Sequence, residues 1–249
     1  MLTVAVTTKQ TIHAILWAKR HLSGELKVAE LEAIRPLITV DDICIDVGAH
    51  GGAWSVPLSK LVNRGRVYAI EALPYYAEVL RRTIQILRRK NIIVLNKAVV
   101  ESHRPVSIVW KDDTDKELTG LTHVAGADEE TEDCITVEGI TLDDLLDQTI
   151  KQKVRLVKMD IEGAELLALK GAMKLIKTFH PILYLEVWQL YCQRYGYAVG
   201  DIFDLLYNLG YQSFFISPPC QLVSIEPEKY SGKGDLLFVH SEDVSAYGI

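Results

Sequence analysis

The sequence predicts an α/β protein, a mostly parallel sheet with helices on both faces. Three observations lead there. Short apolar runs at 43–47, 66–70, 92–95, 154–157 and 181–188 alternate with longer stretches of helical spacing, the pattern of βαβ units. The first run passes straight into Gly48-Ala49-His50-Gly51-Gly52 and then into a helical pattern through Trp54, Leu58, Leu61 and Val62. That strand–turn–helix unit opens Rossmann-like, nucleotide-binding sheets. Acids stand at or near strand ends, at Asp46, Glu71, Asp160 and Glu186, and open α/β sheets bind ligands there.

The chain has 249 residues, 49% apolar and 24% charged. This is ordinary globular composition, with length for one large core and a small extension. A net charge of −6 provides no global basic field for nucleic acid. Cys44, Cys134, Cys192 and Cys220 show no C-x-x-C spacing, so buried thiols are expected rather than disulfides or zinc ligands. No apolar stretch reaches the roughly 20 residues of a membrane span. The N-terminus lacks a secretory pattern, and a cytoplasmic chain is expected.

Residues 1–40 read as a helical extension ahead of the main domain at 41–249. Ile12, Ile15, Leu16 and Lys19 follow helical spacing until Ser23-Gly24, and Val28, Leu31, Ile34 and Leu37 resume it around Pro36. These helices are expected to pack on the sheet or roof the ligand mouth, with His13 and Trp17 as a packed pair. After the strand at 66–70, a helix starts at Pro74 and is expected to run through Lys90. Its basic face of Arg81, Arg82, Arg88, Arg89 and Lys90 suits a helix C-terminus.

Residues 101–140 read as an insertion after the strand at 92–95. Val106, Ile108 and Trp110 alternate like a half-exposed strand, and 135–137 is expected to pair with it at the sheet edge. Between them, 111–133 holds nine acids against two lysines. Such a stretch is expected to be a solvated loop or a lid over the substrate. Thr141 caps a short helix. The strand at 154–157 then leads to Lys158-Met159-Asp160. Residues 161–177 read as one helix whose early Glu162 and Glu165 favour the dipole. A helix at 199–209, strands at 211–216 and 235–239, and a turn at 217–220 complete the sheet.

The turn itself discriminates between ligands. A dinucleotide site wants G-x-G-x-x-G, whose middle glycine yields to the pyrophosphate, and here that position is His50. Asp46 would repel a pyrophosphate and suits a cationic ligand such as S-adenosylmethionine, with its ammonium and sulfonium. Glu71 has the spacing at which an acid meets ribose hydroxyls, at about 1.5–3 kcal/mol per charged hydrogen bond. NAD shares that ribose, so an NAD-dependent oxidoreductase is the second reading. A non-catalytic scaffold on the same sheet is the third.

Four segments, Asp46-Val-Gly-Ala-His-Gly-Gly, Asn96-Lys-Ala-Val, Thr141-Leu-Asp-Asp-Leu and Lys158-Met-Asp-Ile-Glu-Gly-Ala-Glu165, resemble the FkbM family of S-adenosylmethionine-dependent methyltransferases in kind and order. The resemblance covers roughly residues 41–190, and its K-x-D-x-E-G-x-E block is the most specific part. His50 departs from the family's usual Asn. The resemblance implies a class I methyltransferase fold of seven strands, the last inserted antiparallel, and a sugar, polyketide or other small-molecule hydroxyl as acceptor. It also implies cofactor contacts around Asn96 and Ala98. The expected cofactor-binding set is therefore Asp46, Gly48, Ala49, His50, Gly51, Gly52, Trp54, Glu71, Ala72, Asn96, Ala98 and Asp160.

The expected chemistry is displacement at the S-methyl carbon by the acceptor hydroxyl, with positioning as the main contribution. His50, Asp160 and Glu186 are the candidates for a base. Neighbouring strands ending in Asp160 and Glu186 would also bring together two oxygen ligands suited to Mg²⁺.

Overall fold

The computed structural model describes residues 7–26, 28–109, 123–124, 134–148 and 152–247. Helices α1 (Thr8–Ser23) and α2 (Glu30–Ile34), with a 3-10 turn at Arg35–Leu37, precede β1 (Ile43–Val47). There follow α3 (Ser55–Leu61), β2 (Arg66–Ile70), α4 (Pro74–Ile86) and β3 (Ile92–Leu95). Then come β4 (Ala98–Val99), β5 (Pro105–Val109), β6 (His123–Val124), β7 (Cys134–Ile140) and α5 (Leu142–Gln148). The second half contains β8 (Val154–Met159), α6 (Glu165–Lys170), α7 (Met173–Phe179), β9 (Ile182–Trp188), α8 (Gln189–Cys192) and α9 (Val199–Tyr207). It closes with β10 (Tyr211–Ser217), β11 (Gln221–Ser224), β12 (Lys233–His240) and α10 (Ser241–Tyr247).

The main sheet has the order β11-β10-β12-β9-β8-β1-β2-β3. Strands β1, β2, β3, β8 and β9 are parallel, and β12 runs antiparallel between β9 and β10. All of β1 and β8 is buried, as their continuous apolar runs require when helices cover both faces. On one face Ile45, Val157, Leu183 and Phe238 meet Leu142, Leu166, Leu175 and Phe203. On the other, Cys44, Leu156, Tyr184 and Leu237 meet Leu31, Ile34, Leu58 and Leu80. Strand order reverses at β1, which has β2 on one side and β8 on the other. The crevice at that reversal is the expected ligand site.

The structure corrects several expectations. The sheet has eight strands rather than seven, because Gln221–Ser224 folds back on β10 as an antiparallel edge strand. Its four residues are largely solvent-facing, so no apolar pattern marks them. The pair β5 and β7 does join antiparallel, Val106 opposite Val137, but in a separate four-stranded sheet, β4-β7-β5-β6, rather than on the edge of the main one. The acidic stretch lies outside the described residues except for His123–Val124. Helix α4 stops at Ile86, short of Lys90, in a left-handed cap at Arg88 (φ 53) closed by Arg89 N–H to Ile84 O at 2.8 Å. The expected helix over 161–177 is two, α6 and α7, broken at Gly171. A Cβ there would lie 2.2 Å from Val100 O, so the break lets the chain after β4 pass against it. Cys44 and Cys192 are buried, and Cys134 and Cys220 partly so, all four as free thiols.

Candidate active site

Gly48 adopts φ +77, and a Cβ on it would sit 1.9 Å from Asp160 O. Glycine is needed here because the loop after β8 crosses the turn, not only for backbone freedom. Gly51 lies under the indole of Trp17, 2.1 Å from where a Cβ would be. Helix α1, packed on α4, is thus a wall of the turn. The His50 ring lies 3.7 Å from Tyr76 and 5.4 Å from Trp17, centroid to centroid. His13 and Trp17 are both packed against rings: the His13 ring meets Tyr75 edge-on, with Nδ1 3.0 Å from the hydroxyl, and Trp17 lies against His21 and His50.

Backbone donors of the turn are used within the protein. Gly48 and Ala49 both donate to Ile70 O, at 2.9 and 3.0 Å. His50 N–H donates to Glu71 Oε2 at 2.8 Å, and Leu73 N–H to Glu71 Oε1 at 2.9 Å. Burial raises the Glu71 carboxyl to about 7 against the pull of these two donors. Each oxygen keeps acceptor capacity for a hydroxyl. Asn96 Nδ2 donates to the carbonyls of Glu71 and Ala72, at 2.9 and 2.8 Å, so it holds the segment that carries Glu71. Ala98 is buried with Leu73 and Tyr76 behind that segment.

Asp46 differs from its sequence expectation. It is 0% exposed, accepts from Ser55 Oγ at 2.5 Å, and lies 3.7 Å from Lys158 Nζ. The carboxyl therefore faces a protein cation beneath the turn, where burial raises it against the pull of Lys158 and Ser55. Lys158 stands opposite Asp46 in the β1–β8 register and reaches Asp160 Oδ2 at 3.3 Å. Burial opposes its charge, yet Asp160 and Asp46 outweigh that and hold the ammonium above its ordinary value. Alternation carried the signal, since Asp46 follows buried Cys44 and Lys158 follows buried Leu156 on the same face.

The row continues across the sheet to Tyr184, opposite Lys158, and two residues further along β9 Glu186 stands opposite Asp235. Tyr184 donates to Asp235 Oδ2 at 3.1 Å and packs on the Trp54 indole, centroids 4.7 Å apart. Beside it lies a cleft of about 370 Å³ lined by Tyr184, Asp235, Phe215, Tyr230, Lys229 and Glu30 among others. Neither Asp235 nor Lys229 stood out in the sequence.

Asp160 and Glu186 do converge, and Glu162 joins them, with carboxylate oxygens all within 4.8 Å of one another. Glu162 sits at φ 56 and Gly163 at φ 99. That loop is pinned by Tyr197, whose hydroxyl donates to Gly163 O. Glu165 instead accepts from Ile161 N–H at 2.9 Å, a helix-start contact, and burial raises it to about 7. Glu186 Oε2 is buried with no hydrogen-bond partner. Burial, with repulsion from Asp160 and Glu162, lifts the Glu186 carboxyl to about 8.

A doubly wound sheet with its crevice at β1 and an antiparallel strand next to β9 is the class I methyltransferase fold. The Methyltransferase FkbM domain matches residues 46–213, and the chain belongs to this methyltransferase family. That membership displaces the NAD oxidoreductase reading. The structure is similar to that of Methyltransferase FkbM from Methylobacillus flagellatus KT, with a TM-score of 0.52 and 19% identity over 82% of this chain. The present chain spans 44% of the length of that one. It is also similar to precorrin-6y C5,15-methyltransferase from Geobacter metallireducens GS-15, with a TM-score of 0.47, 14% identity and coverage of 85% of this chain and 86% of that one. No curated protein matches the chain. Among the described residues, no helix is long and apolar enough to cross a membrane.

Proposed function

We propose that the chain transfers a methyl group from S-adenosylmethionine to a hydroxyl of a small-molecule acceptor. The observation that carries this reading is Glu71, a nearly buried carboxylate at the end of β2 held by two backbone N–H groups. Such a group suits the ribose hydroxyls. The bound cofactor would supply an electrophilic methyl on sulfonium. Asp160, whose side chain is 47% exposed at the mouth, takes the cofactor's ammonium in place of Asp46. Asp46 and Lys158 position the turn and Asp160 from beneath. Gly48 to Gly52, Trp54, Ala72, Asn96 and Ala98 shape the surrounding wall.

The cleft beside Tyr184 suits the acceptor. Its aromatic side chains offer faces to a ring, and Asp235, Glu30 and Lys229 offer hydrogen bonds. Glu186 is the base: with its carboxyl raised to about 8, the ionised fraction that accepts the hydroxyl proton grows as pH rises from 7 toward 8, so turnover should rise with pH over that range. His50, engaged with Tyr76 and Trp17, supports the turn instead. A second reading is favoured by the grouping of Asp160, Glu162 and Glu186. These oxygens, with Glu186 Oε2 lacking a hydrogen-bond partner, fit a hard cation such as Mg²⁺.

The test is calorimetric titration with S-adenosylhomocysteine beside a matched titration with NAD. Micromolar binding of the first and none of the second is expected. Binding of neither, or of NAD alone, would overturn the proposal. Repeating the titration with Mg²⁺ present separates the two readings of the acids, since only the metal reading gives heat with Mg²⁺ that Glu186→Gln abolishes.

A further inference from the structure

We propose that His180, His240 and Glu242 form a binding site for a borderline transition-metal dication, Zn²⁺ in the first instance, at the end of the sheet opposite the crevice. His180 immediately precedes Pro181 and β9, whereas Glu186 lies toward the other end of that strand. His240 ends β12, which runs antiparallel to β9 and so returns to the same edge. Glu242 belongs to the first turn of α10. Three separate elements thus converge on one point.

The donor atoms meet there. Nδ1 of His180 is 3.4 Å and Nδ1 of His240 is 3.8 Å from the same Glu242 Oε2. All three ligand atoms lie within 4.8 Å of one another. Two imidazoles and one carboxylate are a known zinc donor set, with a fourth position left for water. Imidazole nitrogen also suits Ni²⁺ and Cu²⁺, while Mg²⁺ prefers oxygen.

The surroundings of His240 add a second observation. Nε2 of His240 faces Gly210, where a Cβ would lie 2.9 Å away, so the ring is held with Nδ1 toward Glu242. Nδ1 of His240 accepts the Glu242 backbone N–H at 3.4 Å, a long contact that a metal at this nitrogen would replace. His180 occupies a left-handed helix cap, φ 46, a position where Gly or Asn is the commoner choice.

One adjustment is required. The rings are stacked, with centroids 3.8 Å apart and planes 12° apart, closer to parallel than two in-plane ligands allow. His180, a third exposed, must tilt about its Cβ–Cγ bond, which is a broad torsion.

The test is calorimetric titration of the whole chain with Zn²⁺, with Co²⁺ absorption as a spectroscopic probe. Wild type is expected to bind one Zn²⁺ in the micromolar range and to give Co²⁺ bands typical of nitrogen ligation. His180→Ala and Glu242→Gln should each weaken binding by about tenfold or more, while Glu186→Gln leaves it unchanged. Both altered side chains are solvent-accessible, and circular dichroism checks that the variants fold. Zn²⁺ should also raise Tm in wild type and not in His180→Ala. Absence of Zn²⁺ binding to wild type, or binding unchanged by His180→Ala, would overturn the proposal. Loss with Glu186→Gln alone would also overturn it, by assigning the ion to the acids in the crevice.

Discussion

At the ends of β1 and β2, each carboxylate stands with donors or a cation of its own, though Asp46 Oδ1 has no hydrogen bond. At the ends of β8 and β9, three carboxylates crowd together, with Lys158 reaching only Asp160 among them. Asp46 has Ser55 and Lys158, and Glu71 has two backbone N–H groups. Asp160, Glu162 and Glu186 are grouped within 4.8 Å, and Glu186 Oε2 has no hydrogen-bond partner. The contrast teaches that the β1–β2 side of the crevice, the proposed cofactor side, is set up by folding alone. The β8–β9 side, proposed for the acceptor, stores repulsion that a proton, a cation or a donor group relieves. Buried unpaired charge is costly, so such an arrangement serves chemistry better than stability.

The largest effect should come from breaking the paired half. Lys158→Met leaves Asp46 buried without its cation, and a loss of about 3–5 kcal/mol is expected for a broken buried pair. Urea unfolding measures it, and a loss below about 1 kcal/mol, the level of an exposed pair, would show that Lys158 does not stabilise Asp46. Gly48→Ala comes next. It forces a Cβ toward Asp160 O at a positive φ, and overpacking costs about 1–3 kcal/mol. The same unfolding experiment reads it, and a neutral result would mean that the loop after β8 does not press on the turn.

The remaining effect concerns the crowded half, is absent below about pH 4.5 and grows with pH. The Glu186 carboxyl lies at about 8 in the folded chain against a reference value of 4.5. Folded protein then keeps a proton that unfolded chain has lost, so the unfolded state binds fewer protons between those values. Stability from this group is present below about pH 4.5 and lost as pH rises toward 8. Glu186→Gln should flatten the fall of Tm over that window and raise Tm at pH 8. A slope identical to wild type would remove Glu186 from the group that stores repulsion.

Much of this was legible in the residues. The strand at 43–47, the glycine turn and the acids at strand ends place the crevice, because periodicity and glycine act locally. What escaped notice depends on contacts between distant segments. The turn reads as open to a ligand until Trp17 is found against Gly51 and Asp160 O against Gly48. Asp46 reads as a ligand group until Lys158 is found opposite it, although strand alternation puts both on one face. Glu162 reads as a helix-start residue, whereas its left-handed backbone puts it beside Asp160. Strand β11 has too little apolar pattern to be noticed, and the break at Gly171 reflects a neighbour, Val100, that helical spacing does not reveal.

The contrast between the halves is tested most directly by the affinity for S-adenosylhomocysteine of wild type, Glu71→Gln and Glu186→Gln, measured side by side by calorimetry. Loss of the Glu71 carboxylate, proposed to bind the ribose, should weaken binding by about tenfold or more, given about 1.5–3 kcal/mol per charged hydrogen bond. The change at Glu186 should leave it within about twofold, below the roughly 0.5–1.5 kcal/mol of one ordinary hydrogen bond. Unchanged affinity in Glu71→Gln, or a loss confined to Glu186→Gln, would contradict the division of the crevice into a cofactor half and an acceptor half.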